Sequence, residues 1–199
     1  YGAIEYAYFL MAGRAGITMN PSRLLEENGR RHFMTRRFDR TETGGKLHMQ
    51  SLGALAHFDF NMAGAYSYEQ VFTVFRQLGL PPASVEEQYR RMAFNIIARN
   101  QDDHVKNIAF LMDRTGRWQL APAFDVTYSY NPAGEWTSSQ QMSMNGKRDD
   151  FTLEDFTAAG KSAILKRGRG RAIVGEVQEA VRAWPECAAA AGVPEETAA

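Results

Sequence analysis

The stretch Asn100-Gln101-Asp102-Asp103-His104-Val105-Lys106-Asn107 constrains this chain more than any other, because it joins a long amphipathic helix to a short hairpin that ends at Phe124-Asp125. Ser84 to Glu87 reads as a capping box and opens a helix over 84–99 that runs straight into the polar stretch. Ile108 to Met112 and Trp118 to Leu120 then read as two short strands around Arg114-Thr115-Gly116. The chain must therefore leave the helix, turn, and come back. That route places Asp102, Asn107 and Asp125 on neighbouring loops.

The rest of the pattern is mainly helical. Residues 3–15 are apolar most of the way round and predict a largely buried helix ended by Gly16. Arg23 to Glu27 and Arg31 to Phe38 flank Asn28-Gly29, the strongest short hairpin signal. Arg40 to Lys46 reads as a loop, and Met49 to Phe58 as a stretch holding a short helix. Ser67 and Gln70 form another capping box for a helix over 67–78, separated from the next by Gly79-Leu80-Pro81-Pro82. Residues 126–150, rich in Ser, Asn, Gly and Gln, predict an ordered but irregular segment. Thr152 to Asp155 caps a further helix, 171–191 reads as a terminal helix bent at Pro185, and 193–199 are expected to fray. The fold class is α+β, mainly helical, with small β-hairpins, in one compact domain.

Composition removes several function classes. The 23 basic and 23 acidic side chains cancel, so no global field recruits nucleic acid or an anionic membrane. No signal peptide or long apolar span is evident, and a single cysteine, Cys187, suits a reducing cytoplasm rather than a disulfide framework. The chain starts at Tyr1 directly in a helix, as expected of a piece of a longer protein.

Phosphoryl transfer needs a positioned acceptor and a hard cation more than it needs covalent help from the protein. In protein kinases a catalytic-loop Asp lies five positions before an Asn that binds magnesium, and a second magnesium-binding Asp follows a short hairpin. Asp102, Asn107 and Asp125 stand in that order. Asp102 would accept or orient the acceptor proton, Asn107 and Asp125 would offer oxygen ligands, and Lys106 would steady the transferring phosphate. A plain alternative is that these residues only cap turns. His104 lacks a nearby second His or Cys for zinc and is expected to be a buried scaffold that bonds the loop. Asp103 is expected to serve a backbone N–H or Arg99.

Other motifs read as structural. Gly168 to Gly175 imitates a nucleotide-binding loop, but its third glycine is misplaced and no strand precedes it. Lys166, Arg167, Arg169 and Arg171 read as a solvated helix start, and Trp118, Trp136 and Trp184 as core residues.

The segments Arg36-Arg37-Phe38-Asp39-Arg40, Lys46 to Ser51, Phe94 to Asn107 and Leu120 to Val126 are similar, in this order, to those of HipA-type serine/threonine kinases, toxins of bacterial toxin–antitoxin modules. The chain resembles their C-terminal large lobe, with residues 1–40 as a hinge-proximal helix and hairpin and 41–199 as the helical lobe. The resemblance implies that Asp102 is the catalytic Asp and that Asn107 and Asp125 bind magnesium. It further implies that the stretch including Met34, Arg36 and Phe38 is a hinge strand whose backbone meets the adenine of ATP. Glu5 would then pair with an ATP-orienting Lys of the missing small lobe. Also implied are cytoplasmic location, a helix-turn-helix antitoxin partner through which any nucleic acid is met indirectly, and a protein substrate such as an aminoacyl-tRNA synthetase. Without the phosphate-covering small lobe, the piece alone is expected to bind ATP weakly and to transfer little phosphate. Two other readings stay open. One is a non-catalytic module that keeps the kinase shape to dock an antitoxin or to regulate. The other is transfer to a small molecule, for which the acidic acceptor pocket that cationic antibiotics need is not evident.

Overall fold

The computed structural model describes residues 1–194 and 196. Of the terminal stretch expected to fray, 195 and 197–199 lie outside the described residues, whereas Val193 is buried.

Helix α1 (Gly2–Arg14) ends where expected. Gly16 takes φ +76°, its N–H donates to the Gly13 carbonyl, and the Ile17 N–H donates to the Ala12 carbonyl. This is the Schellman closure that a residue with no Cβ permits. Strands β1 (Ser22–Glu27) and β2 (Arg30–Thr35) form an antiparallel hairpin with Glu27 opposite Arg30. Asn28 and Gly29 both have positive φ, as a type I′ turn requires.

The stretch 49–58 holds the expected short helix, but a strand that was not expected leads into it. Strand β3 (His48–Ser51) passes directly into α2 (Leu52–Ala56), capped by the Ser51 hydroxyl. β3 pairs with β4 (Ala109–Met112), which pairs with β5 (Trp118–Leu120), so the predicted hairpin is widened to a three-stranded antiparallel sheet of order β3-β4-β5.

Helix α3 (Tyr68–Gln77) carries the expected capping box between Ser67 and Gln70. Helix α4 (Pro82–Ile97) starts two residues before Ser84. Pro82 suits the first helical turn, where its missing N–H costs nothing, so the capping role assigned to Ser84 is not used. Glu87, its supposed partner, instead accepts from the Thr18 N–H and from Arg91. The segment 126–150 contains no helix or strand, as expected. In α5 (Leu153–Ser162) the Asp155 carboxylate accepts from the Thr152 N–H and hydroxyl. The terminal helix is two helices, α6 (Arg169–Arg182) and α7 (Trp184–Ala190), separated at Ala183 just before Pro185.

The core lies where α3, α4 and α6 meet, with Phe72, Phe75, Tyr89, Met92, Phe94 and Ile173 fully buried. Each such side chain stabilises the fold by about 1.5–3 kcal/mol relative to exposure. Of the tryptophans, Trp184 packs edge-on to Tyr8 and Trp118 edge-on to His48, but Trp136 is 46% exposed and is not a core residue. Gly170 serves helix packing rather than phosphate binding: a Cβ there would stand 2.9 Å from the Tyr89 hydroxyl oxygen. Arg169 of the basic run is paired with Glu86 and Glu176.

Candidate active site

The end of α4 sets the loop. Asn100 donates its N–H to the Asn95 carbonyl, and Arg99 adopts φ +55°, so the chain leaves the helix in a tight left-handed turn. The start of α2 holds the loop from the other side, since Gly53 donates its N–H to the Val105 carbonyl at 3.1 Å and Leu52 donates to the Ile108 carbonyl at 2.7 Å. Helix-start N–H groups that would otherwise lack partners are satisfied by the loop. Within it, the Asn107 side-chain amide donates to the Asp102 carbonyl at 3.0 Å, and the Asn107 N–H to the His104 carbonyl at 2.9 Å. With its NH₂ so engaged, Asn107 keeps its Oδ1 as the atom able to meet a cation. The Asp102 side chain is 47% exposed, and its nearest cation-capable group is His104 Nε2 at 3.8 Å.

Asp125 reaches the same place from the hairpin. The Ala123 N–H donates to the Thr18 carbonyl at 2.8 Å, Met19 bridges Ala123, and Arg91 donates to the Ala121 carbonyl at 3.0 Å. The Phe124 ring rests 5.3 Å from that of Phe38. Held at both sides, the chain brings Asp125 out exposed at φ +56°, a conformation Asp tolerates. Asn107 and Asp125 line one small, open recess.

Glu5 completes the acidic side. Helix α1 is fixed to the end of α4 by the Tyr8 hydroxyl, which donates to the Ala98 carbonyl at 2.5 Å. Burial and then the charge of Asp125 raise the Glu5 carboxyl above its ordinary range. The two carboxylates thus share a field that a cation would relieve. Among the described residues no three His, Cys, Asp or Glu side chains gather as a metal site. A cation here would therefore depend on the Asn107 amide oxygen as well as carboxylates, a hard oxygen set that suits magnesium.

Lys106 places its ammonium 3.4 Å above the Phe60 ring, a cation–π contact beside the loop. His104 corrects the expectation. Its side chain lies edge-on to Phe60 and its buried Nδ1 has no partner among the described residues, while its backbone carbonyl does the bonding to the loop. Asp103 bonds the Gln141 N–H, as a backbone partner was expected, and Tyr68, but not Arg99, which lies over Tyr130.

In the stretch expected to meet adenine, the Arg36 N–H donates to Pro21 and its carbonyl accepts from Asn20. Antiparallel pairs alternate in bonding, so Met34, two residues before Arg36 and opposite Arg23, is in the same bonded phase. The outward backbone edge of β2 is thus that of Thr35, which narrows the expectation that Met34 and Arg36 present their backbones there. Met34 is 39% exposed, and Phe38 is packed on Phe124. Arg37 grips Asp39 through two bonds of 2.7 and 2.6 Å, Arg40 adds a third, and these partners hold the Asp39 carboxyl down to about 2.

A family model described as the HipA-like C-terminal domain matches residues 1–184. The chain belongs to that family. A curated relative named "Putative kinase Y4mE", from Sinorhizobium fredii (strain NBRC 101917 / NGR234), is 28% identical over 179 residues, covering 83% of this chain and 41% of the relative. The solved HipA of Shewanella oneidensis MR-1, in a toxin–antitoxin complex with HipB and operator DNA, superposes with a TM-score of 0.80 at 16% identity, over 98% of this chain and 51% of that one. That match establishes the HipA-like fold of the chain, which spans about half the length of these proteins.

The sequence pattern of the HipA-like chain did not reveal the loop's partners, the buried Tyr68 and Gln141 and the half-buried Asn95. Asn95 carried one signal, a polar residue directly after the buried run Met92, Ala93 and Phe94.

Proposed function

We propose that this chain is the C-terminal lobe of an ATP- and magnesium-dependent serine/threonine protein kinase of toxin–antitoxin type. The observation that carries the reading is the joint placement of Asp102, Asn107 and Asp125. Asn107 is tied to the Asp102 backbone, leaving the Asp102 carboxylate half exposed, and Asp125 is brought out on the recess that Asn107 lines. Asp102 takes up the proton of the acceptor hydroxyl as that oxygen attacks. Asn107 and Asp125 would hold magnesium, and Thr35 would offer the backbone edge to adenine. Magnesium–ATP, when bound, supplies the phosphoryl group and neutralises its charge. Lys106 leaves the Phe60 ring to meet the transferring phosphate, and Glu5 orients a lysine from the small lobe. The acceptor is a serine or threonine of a protein, with an aminoacyl-tRNA synthetase as the substrate the family resemblance implies. A HipB-like antitoxin is the partner that the Shewanella complex suggests. A cytoplasmic location is likewise what the family resemblance implies; among the described residues no helix is long and apolar enough to cross a membrane.

The test uses the full-length protein. Asp102→Asn is expected to lower phosphotransfer by roughly 10²–10⁴-fold and to relieve growth arrest with an unchanged melting temperature. Asp125→Ala is expected to remove magnesium-dependent nucleotide binding in calorimetry. Full binding in Asp125→Ala, or full transfer in Asp102→Asn, overturns the assignment and favours a docking module of kinase shape.

A further inference from the structure

The loop that bears Asp102 also bears a carboxylate that the reaction above leaves unused. Asp103 is only 1% exposed, and it accepts from the Tyr68 hydroxyl at 2.6 Å and from the Gln141 N–H at 2.6 Å. The chain of bonds continues toward the end of α4. The Asn95 side-chain amide donates to the Tyr68 hydroxyl oxygen at 3.2 Å, and Asn100 donates to Asn95 Oδ1 at 3.0 Å. The Ser129 hydroxyl donates to Asn100 Oδ1 at 3.2 Å, the Ser129 N–H to the Arg99 carbonyl at 3.2 Å, and Gln140 Nε2 to the Asn95 carbonyl at 3.1 Å.

These bonds have a common geometry. Ser129 at one end of a span, and Gln140 and Gln141 at the other, are fastened to residues 95–103, immediately before and after Asp102 along the chain. The span between the anchors has no helix or strand. It helps wall an open cleft, with Arg99, Gln101, Tyr130 and Asp149 among its lining. Burying a carboxylate is costly, and the bonds that the Asp103 carboxylate accepts offset that cost while specifying a single arrangement, although Gln140 Oε1 and Gln141 Nε2 have no partner among the described residues.

We propose that Asp103, Tyr68 and Asn95 are positioning residues: they clamp the 129–141 span to the Asp102 loop and so set the wall against which an acceptor polypeptide lies. The acceptor rests on the kinase reading; the clamp does not.

The test compares Asp103→Leu, Asp103→Asn and Tyr68→Phe in the full-length protein, first by amide hydrogen exchange. Asp103→Leu is expected to speed exchange across 129–141 at least tenfold, Tyr68→Phe several-fold, and Asp103→Asn, which keeps an oxygen for the Gln141 N–H, least. Protection in α3 and α4 should stay within twofold in Tyr68→Phe. Unchanged exchange in the span in all three variants, or acceleration spread evenly through α3 and α4, overturns the clamp. Second, in steady-state phosphotransfer, kcat for the protein acceptor is expected to fall tenfold in Tyr68→Phe and Asp103→Leu, with the KM for ATP within twofold and most activity regained in Asp103→Asn. An unchanged kcat, or loss of kcat and ATP affinity together, rejects the positioning role. If the unsubstituted protein transfers no phosphate, the kinase reading fails and the exchange result still decides the clamp.

Discussion

At the scale of the residue, the pKa values of two carboxylates on this chain are shifted in opposite directions, and each defines its own pH window. Asp103 is raised by burial from 3.8 to about 7, against the lowering effect of its Tyr68 and backbone donors. Between these values the folded chain binds more protons than the unfolded one, so this residue's contribution to stability falls as pH rises from about 4 to 7 and is level above. The slope is at most about 1.4 kcal/mol per pH unit. Asp39 is lowered to about 2, foremost by its bond to Arg37, so its contribution is present above 3.8 and is lost as pH falls through 2. Denaturant titrations from pH 4 to 8 are expected to show a falling limb that Asp103→Asn removes. Identical pH slopes for the two proteins would contradict the raised Asp103. The spacing of Asp102, Asn107 and Asp125 was legible because loop chemistry confines those residues to a short stretch. The partners of Asp103 were not, because Tyr68 lies 35 residues before it and Gln141 38 after, and only tertiary packing brings them together.

At the scale of the element, two glycines of α6 separate helix propensity from packing. A Cβ added at Gly175 would meet no neighbouring atom within 4 Å, so Gly175→Ala is expected to raise stability by about 0.5–1 kcal/mol. Gly170 faces the Tyr89 hydroxyl, which donates to the Phe156 carbonyl at 2.7 Å, and lies near Gly160 of α5. Gly170→Ala must displace a fully buried tyrosine and is expected to cost roughly 1–3 kcal/mol. Thermal melts of the two variants moving in the same direction would show that this packing account is wrong. The sequence pattern announced the β1–β2 hairpin through Asn28-Gly29 and the start of α3 through Ser67, because turn and cap chemistry is local. β3 was hidden: four residues pair with a strand some sixty positions later, and nothing in His48-Met49-Gln50-Ser51 alternates strongly enough to reveal it. The start of α4 was misplaced because two local signals competed, and proline at the first turn prevailed over the Ser84 box.

At the scale of the whole molecule, the C-terminal helices hold the N-terminal helix in register with the site. The matched family region stops at residue 184, yet α7 packs against α1 beyond it. Arg14 bonds Glu186 at 2.6 Å, Tyr8 meets Trp184 edge-on, and Arg31 of β2 donates to the carbonyls of Ala191 and Gly192. Cys187, Ala188, Ala191 and Val193 are buried in the shared core. The Arg14–Glu186 pair is exposed and adds little, so the apolar contacts and the Arg31 bonds carry the attachment. Because α1 bears Glu5 and anchors to α4 through Tyr8, removing α7 should act at a distance on the acidic side of the recess. Deletion from Trp184 onward in the full-length protein is expected to lower the melting temperature by roughly 5–10 °C, on the order of 2–4 kcal/mol for a chain of this size. Amide protection in α1 should fall while that of α3 and α4 persists. Equal protection of α1 with and without α7 would mean that the N-terminal helix finds its place from α4 and the hairpin alone, and that the C-terminal helices only cover the core.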